Sequence, residues 1–307
     1  MPEEIDNANR IFDEMSFKNL ISWNSIIQGS VLNGLPMRGI QSFCNLLNSG
    51  VEPNPYTLST VLSTCATIST LRLGAQIHSY ILKSGSGCET ALGNSLITMY
   101  AKCGDLGSSS KVFSGMLQRD VVSWNAIIAA YSQNGDGHRA IYYLKLMQNS
   151  EILPDHATFT IVLSACSHAG LIAEGHLIFT SMIKDYGMEP QVDHYSCMID
   201  LLCRAGHLDE AERLINIMPC SANSHIWWIV LSACSTYGNV RLGRIASGFL
   251  LEMEPENTAM YVLMSNINAA QGKWEEASNI REQMRNKGVV KKPGCSWIES
   301  ENNSVQV

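Results

Sequence analysis

Two unrelated patterns recur in this chain at one common step. Val-Leu-Ser-Thr-Cys at residues 61–65 returns as Val-Leu-Ser-Ala-Cys at 162–166, and once more at 230–234. Trp-Asn-x-Ile-Ile stands at 23–27 and again at 124–128. Cys65 to Cys166 and Trp23 to Trp124 both span 101 residues. One step shared by two patterns makes the chain an array of repeats. A single repeat cannot bury its apolar face alone, so neighbours must stack.

A finer grid lies inside that step. Asn24, Ser59, Asn94, Asn125, Thr160 and Ser196 follow one another at 35, 35, 31, 35 and 36 residues. Ten positions beyond each stand Gly34, Ser69, Gly104, Gly135, Gly170 and Gly206. Glycine, present at all but one, fits a helix end, where a left-handed residue is needed. Apolar residues spaced by three and four precede it, as in Trp23, Ile26 and Ile27. They also follow it, as in Val112, Phe113 and Met116, with Ala140 or Ala211 near the start of that second stretch. Both stretches read as amphipathic helices, so each unit is helix, turn, helix. Pro53, Pro154, Pro190 and Pro219 punctuate the joints. The Trp, Met and Cys stripes read as core.

Composition narrows the function. The hydrophobic fraction of 46% belongs to a folded chain. No run of about 18 apolar residues is present to span a bilayer, so no membrane association is expected. The ten cysteines are scattered, without a clustered framework, which points to a reducing compartment and buried free thiols. A net charge of −7 argues against non-specific gripping of phosphates, though not against reading bases one by one.

With this grid in place, the array resembles the plant pentatricopeptide repeat proteins of the PLS type, in which P, L and S repeats of different length alternate. Residues 20–54 resemble a P repeat, 55–89 an L repeat and 90–120 a short S repeat. The series continues with 121–155 (P), 156–191 (L) and 192–223 (S). Met-Tyr-Ala-Lys-Cys-Gly at 99–104 and Gly-His-Leu-Asp-Glu-Ala at 206–211 are similar to the family consensus. Residues 1–19, with Ala8, Phe12 and Met15, resemble the second helix of a further S repeat. Residues 224–299 contain Leu-Ser-Ala-Cys-Ser-Thr-Tyr-Gly-Asn-Val, Glu-Pro-Glu-Asn and Lys-Lys-Pro-Gly-Cys-Ser-Trp-Ile. They resemble the E motifs that follow the last S repeat in RNA-editing factors, and also read as two degenerate helical hairpins. Residues 300–307 form a tail.

The resemblance implies an all-α fold, a right-handed superhelical solenoid of helix-turn-helix repeats. It also implies single-stranded organellar RNA as the partner, one base per repeat, read by the polar residue of the first helix and the last residue of the same repeat. Apolar residues of adjacent repeats would hold the base between them. Carried onto this chain, the pairs are Asn24 with Asn54, Asn94 with Asp120 and Asn125 with Asp155, all implying pyrimidines. Asn–Asp favours U over C, and Asn–Asn takes C or U. Ser59 with Glu89 and Thr160 with Gln191 carry no base assignment, and Ser196 with Asn223 implies a purine. With RNA parallel to the array and the last S repeat four bases before an edited cytidine, the expected address is 5′-Y-N-U-U-N-R-N-N-N-C-3′. The competing reading of each asparagine is a helix cap or a backbone partner.

The zinc deaminase of the family needs His-x-Glu and Cys-x-x-Cys. None of the eight histidines is followed two residues on by Glu, and no two cysteines stand three apart. The expectation is therefore a specificity factor without catalytic residues, metal or cofactor. It would recruit a DYW-type deaminase and editing accessory proteins in trans for C-to-U editing. Neither a targeting segment nor the first helix of the opening repeat is present, so a truncated gene model or isoform is expected. The expected compartment is the mitochondrion, or alternatively the chloroplast. Two alternatives stay open: transcript processing or stabilisation without editing, and a tetratricopeptide-like protein scaffold. The regular period of about 34 residues in the latter is broken here by steps of 31, 35 and 36.

Overall fold

The computed structural model describes residues 2–85, 89–286, 288, 297–300 and 303–306. Among the described residues there are seventeen helices, α1 to α17. A lone α1 (Pro2–Glu14) is followed by α2 (Leu20–Leu32) and α3 (Pro36–Asn48), α4 (Pro55–Thr67) and α5 (Leu71–Ser84), and α6 (Thr90–Lys102) and α7 (Leu106–Gly115). Next come α8 (Val121–Gln133) and α9 (Gly137–Gln148), α10 (His156–Ala169) and α11 (Ile172–Lys184), and α12 (Val192–Arg204) and α13 (Leu208–Ile217). The helical part closes with α14 (Ser224–Tyr237) and α15 (Val240–Met253), then α16 (Thr258–Ala270) and α17 (Trp274–Asn286).

The chain divides into two compact units, 1–171 and 172–307. In the first, the helices that open each hairpin, α2, α4, α6, α8 and α10, pack on one another in a row. The second helices α3, α5, α7 and α9 each pack on their own partner and on the next opening helix. The second unit repeats the plan with α12, α14 and α16 in a row, backed by α13, α15 and α17. The fold is an all-α repeat solenoid, as the helical grid requires. Past the last helix, β1 (Trp297–Ser300) and β2 (Asn303–Gln306) pair antiparallel, with Trp297 opposite Gln306. The helical reading of the tail did not anticipate these four-residue strands, which are too short for a period-two pattern to show. Residues 291–296 of the Lys-Lys-Pro-Gly-Cys-Ser-Trp-Ile signature lie outside the described residues.

The grid of glycines is a grid of helix stops. Gly34, Gly104, Gly135, Gly170 and Gly206 all have φ between 69 and 80°. After each, the next N–H reaches back five residues, as from Asp105 N to Tyr100 O at 2.9 Å and from Asp136 N to Tyr131 O at 2.9 Å. This is the Schellman closure, which satisfies helix-end carbonyls. Gly238 and Gly272 continue it after α14 and α16, so the helices of the 224–299 region follow the same plan. At the one place where glycine is missing, Ser69 takes the left-handed conformation itself, with φ 53°, and Thr70 N still bonds Cys65 O at 3.0 Å.

The 101-residue step is a packing joint. Phe12 meets Trp23 edge-on at 4.7 Å, and Phe113 meets Trp124 edge-on at 4.9 Å. Lys18 and Arg119 lie over the two phenylalanines and donate to the carbonyls that end α1 and α7. The recurring pentapeptides are core: the Val, Leu and Cys of all three are at most 1% exposed. Burial pushes the Cys65 thiol up to about 11 and Cys234 to about 12, so these thiols stay protonated and inert. Opening helices also reach back with a side chain to the preceding one. Asn134 donates to Ala101 O at 3.1 Å, Tyr237 to Arg204 O at 2.6 Å and Gln271 to Gly238 O at 3.2 Å.

A left-handed residue with a side chain costs on the order of 1 kcal/mol. Ser69→Gly is therefore expected to stabilise the array by about that amount, and Gly104→Ala to destabilise it by about 1 kcal/mol. The shift of the denaturant midpoint measures both.

Candidate nucleic-acid interface

Every opening helix begins one residue after a polar side chain in extended backbone. Asn19, Asn54, Asp120, Asp155, Asn223 and Asn257 accept from a backbone N–H two or three residues on. Glu89 holds the same place without a side-chain cap bond. The residue that ends one repeat is thus the N-cap of the next. Asn24, Asn94 and Asn125 sit fifth in their helices, one turn past the caps. The capping alternative considered for these asparagines therefore falls on their partners instead.

Three pairs come together. Asn125 Nδ2 donates to Asp155 Oδ1 at 3.2 Å, and Asn94 Nδ2 to Asp120 Oδ1 at 3.4 Å. Asn24 and Asn54 are bridged by the Thr57 hydroxyl, 2.6 Å from Asn24 Oδ1 and 2.8 Å from Asn54 Oδ1. In both Asp pairs all the carboxylate's protein bonds fall on one oxygen. Asp155 Oδ1 takes the Thr158 N–H at 2.8 Å and lies 2.8 Å from the Thr158 hydroxyl, whose one proton it shares with Asn125 Oδ1 at 2.6 Å, and Asp120 Oδ1 takes the N–H and the hydroxyl of Ser123, each at 2.8 Å. Oδ2 of each accepts no hydrogen bond among the described residues, and both side chains are exposed.

The other candidates differ. Ser196 is buried and its hydroxyl donates to Val192 O at 2.8 Å. Asn223, its proposed partner, accepts from Ile226 N at 3.0 Å as a cap. Thr160 donates to His156 O at 2.9 Å, and the Gln191 N–H donates to His194 Nδ1 at 3.0 Å. Ser59 and Glu89 share no hydrogen bond among the described residues. The Thr160 and Ser196 hydroxyls thus serve their own helices.

Residues beyond the sequence expectation also belong here. Ile21, Tyr56 and Val122, each two positions past a cap, are 75%, 49% and 59% exposed. Large apolar side chains held in water at a fixed register suit flat apolar ligands. Val122 and Asn94 line one shallow cavity of about 230 Å³, together with Lys102. Thr57 and Thr158 tie each asparagine to the following helix. The pattern cap-x-x-Ser/Thr in Asn54-Pro-Tyr-Thr57 and Asp155-His-Ala-Thr158 was the available signal for them. In the 224–299 region, the fifth positions after caps Asn223 and Asn257 are Trp228 and Val262. The Trp228 indole N–H is engaged by Glu254 at 3.1 Å, which also takes the Asn257 amide at 2.9 Å. Among the described residues no group of His, Cys, Asp or Glu is arranged to hold a metal, and no helix is long and apolar enough to cross a membrane.

Comparison with known proteins shows the family. Pentatricopeptide repeat models match residues 94–121, 119–168, 157–186 and 186–219, and the E motif model matches 237–299. The chain belongs to the pentatricopeptide repeat family. It carries an E motif and the length alternation of the PLS type. A chloroplastic pentatricopeptide repeat-containing protein of Arabidopsis thaliana is 41% identical over 96% of this chain and 35% of its own length. A mitochondrial one from the same plant is 42% identical over 92% of this chain and 37% of its own length. The chain thus spans little more than a third of these two relatives. The crystal structure of the maize pentatricopeptide repeat protein PPR10 is similar in fold, with a TM-score of 0.61 at 19% identity, covering 94% of this chain and 48% of that one.

The caps couple the array to pH. For Asp120 and Asp155, burial alone would raise the pKa. Hydrogen bonds from Ser123 and Asn94, and from Thr158 and Asn125, outweigh it and leave both below the usual carboxylate value. Asp105, which caps α7, is lowered by the Ser108 hydroxyl and N–H. A depressed folded pKa stabilises the fold above the unfolded value, about 3.9, and that contribution is lost as pH falls through the folded value. Stability is expected to drop on acidification below about pH 4. Since Asn caps as well as Asp, an Asp120→Asn, Asp155→Asn variant should match the parent at pH 7 and lose less on acidification, as measured by denaturant titration at each pH.

Proposed function

We propose that this chain reads single-stranded organellar RNA base by base and specifies sites of C-to-U editing, with a DYW-type deaminase and accessory proteins acting in trans. The observation that carries the reading is the split role of Asp120 and Asp155. One oxygen is committed to the helix cap and to Asn94 or Asn125, and the other faces water. Uracil presents an N3–H donor, and a free carboxylate oxygen accepts it. Cytosine presents a bare N3, which that oxygen repels. The amide hydrogen of Asn94 or Asn125 not given to the carboxylate is a donor for a base carbonyl oxygen. Ile21, Tyr56 and Val122 supply apolar contact to the base faces. Thr160 and Ser196 would contribute less, because their hydroxyls donate to carbonyls of their own helices; Ser59, Gln191 and Asn223 complete the candidate set.

The cap also explains Asn54. Its Oδ1 must point at Thr57 N, 2.9 Å away, so its Nδ2 occupies the outer place that Oδ2 holds in Asp155. A donor there suits the cytosine N3. The E motif at 237–299 supports editing over processing; Val262 within it, and Trp228 just before it, offer no free amide or hydroxyl to a base edge. It is assigned to contacts with the editing machinery. The relatives named chloroplastic and mitochondrial support an organelle as the compartment, with the mitochondrion preferred and the chloroplast the alternative.

Asp155→Asn keeps the cap and turns the outward acceptor into a donor. Affinity for RNA with U opposite this pair should fall and affinity for C should rise, each by about 5–100-fold, the range of one base contact. Asp120→Asn should do the same one base away. Unchanged U and C affinities in both variants would remove base reading from these pairs. Sequencing organellar transcripts from plants with and without the gene should show at least one C-to-U site lost. Full editing at every site would leave RNA binding without the editing role.

A further inference from the structure

Asn125 is held at both ends of its amide. Nδ2 donates to Asp155 Oδ1 at 3.2 Å, and Oδ1 accepts the Thr158 hydroxyl at 2.6 Å. Asn24 Oδ1 is held in the same way by Thr57, at 2.6 Å. In both cases the anchoring threonine lies 33 residues further along, as the third residue of the next opening helix. Asn94 lacks this hold. Its repeat is shorter, and the third residue of the next helix, 29 residues on, is Ser123. Ser123 Oγ donates to Asp120 Oδ1 at 2.8 Å and takes the Asp120 N–H at 3.2 Å. No bond joins it to Asn94. Asn94 Nδ2 is left with one long contact of 3.4 Å, and Asn94 Oδ1 is buried with no hydrogen-bond partner among the described residues.

The difference follows from side-chain stiffness and from hydrogen-bond satisfaction. The β-branch of threonine restricts its rotamer, and serine has no such restriction. An amide fixed at both atoms presents one face, a donor, to a ligand. An amide held by one long bond, with its oxygen unsatisfied, gains from turning over, and then presents either a donor or an acceptor.

We propose that the third residue of each following helix is a positioning residue that sets how sharply the preceding asparagine discriminates its base. Thr158 makes the 121–155 repeat strict for U over C, Thr57 fixes Asn24 beside an Asn54 that takes C or U, and Ser123 makes the 90–120 repeat prefer U over C less sharply. The proposal rests on the RNA reading above.

The test measures the full chain against RNAs of one length carrying U or C opposite the Asn94 and Asn125 pairs. The readout is the U-to-C affinity ratio at each position. The parent should show the larger ratio opposite Asn125. Ser123→Thr should raise the ratio opposite Asn94, and Thr158→Val should lower the one opposite Asn125, each by about fivefold, the factor one hydrogen bond is worth. Thr158→Ser keeps the capping hydroxyl and should still lower the ratio. A purely structural threonine would weaken U and C RNAs equally on Thr158→Val. Ratios unchanged in both Ser123→Thr and Thr158→Val would overturn the proposal while base reading stood. Should Asn125→Ala also leave the ratio unchanged, base reading itself would fall, and this proposal with it.

Discussion

The structure depends on the hydrogen bond between the side chain that closes one repeat and a backbone N–H in the first turn of the next. Helix N-termini carry unsatisfied donors, and Asn54, Asp120 and Asp155 each satisfy one. Because the cap fixes one oxygen inward, it also fixes what the other atom of the same group turns outward. The caps therefore define where an opening helix starts, hold it to its predecessor, and set the polarity of the exposed edge beside each asparagine. On the proposed reading, local helix chemistry and ligand chemistry share one side chain.

Much of this was legible in the sequence because it rests on periodicity. The step of 101 residues marked Trp23 and Trp124 as equivalent and located the buried pentapeptide cores; that Phe12 and Phe113 pack on those tryptophans came from the structure. The glycine grid located the helix stops, including the one that Ser69 now fills. The pairs Asn94 with Asp120 and Asn125 with Asp155 followed once the grid was carried onto the family. Less regular features were not visible. Asn134, Tyr237 and Gln271 do one job with three residue types, so no pattern announces it. The cap-x-x-Ser/Thr pattern marks Thr158 as a helix-start residue, but its tie to Asn125, 33 residues back, shows only in the packing. The strand pair at 297–306 is too short to leave a signature.

Within each unit, the same hairpin plan continues whether or not the reading chemistry is present. Trp228 and Val262 stand where asparagine or a hydroxyl stands in other repeats, and Glu254 engages the Trp228 indole. The solenoid is thus indifferent to the residue at the fifth position, which leaves that position free to vary with the ligand. The acidic balance of the chain is consistent with such a division. Recognition by directed hydrogen bonds at a few joints does not need a basic surface, although Lys102 beside Asn94 places one cation at the groove.

The most direct measurement is selection of RNAs from a random single-stranded pool by the chain, followed by sequencing of the retained molecules. Consecutive reading pairs at Asn94 and Asn125, preceded two repeats earlier by Asn24, predict enrichment of Y-N-U-U in that order. Retained RNAs with no preference at those positions, or with purines opposite the two Asp-paired asparagines, would contradict the account.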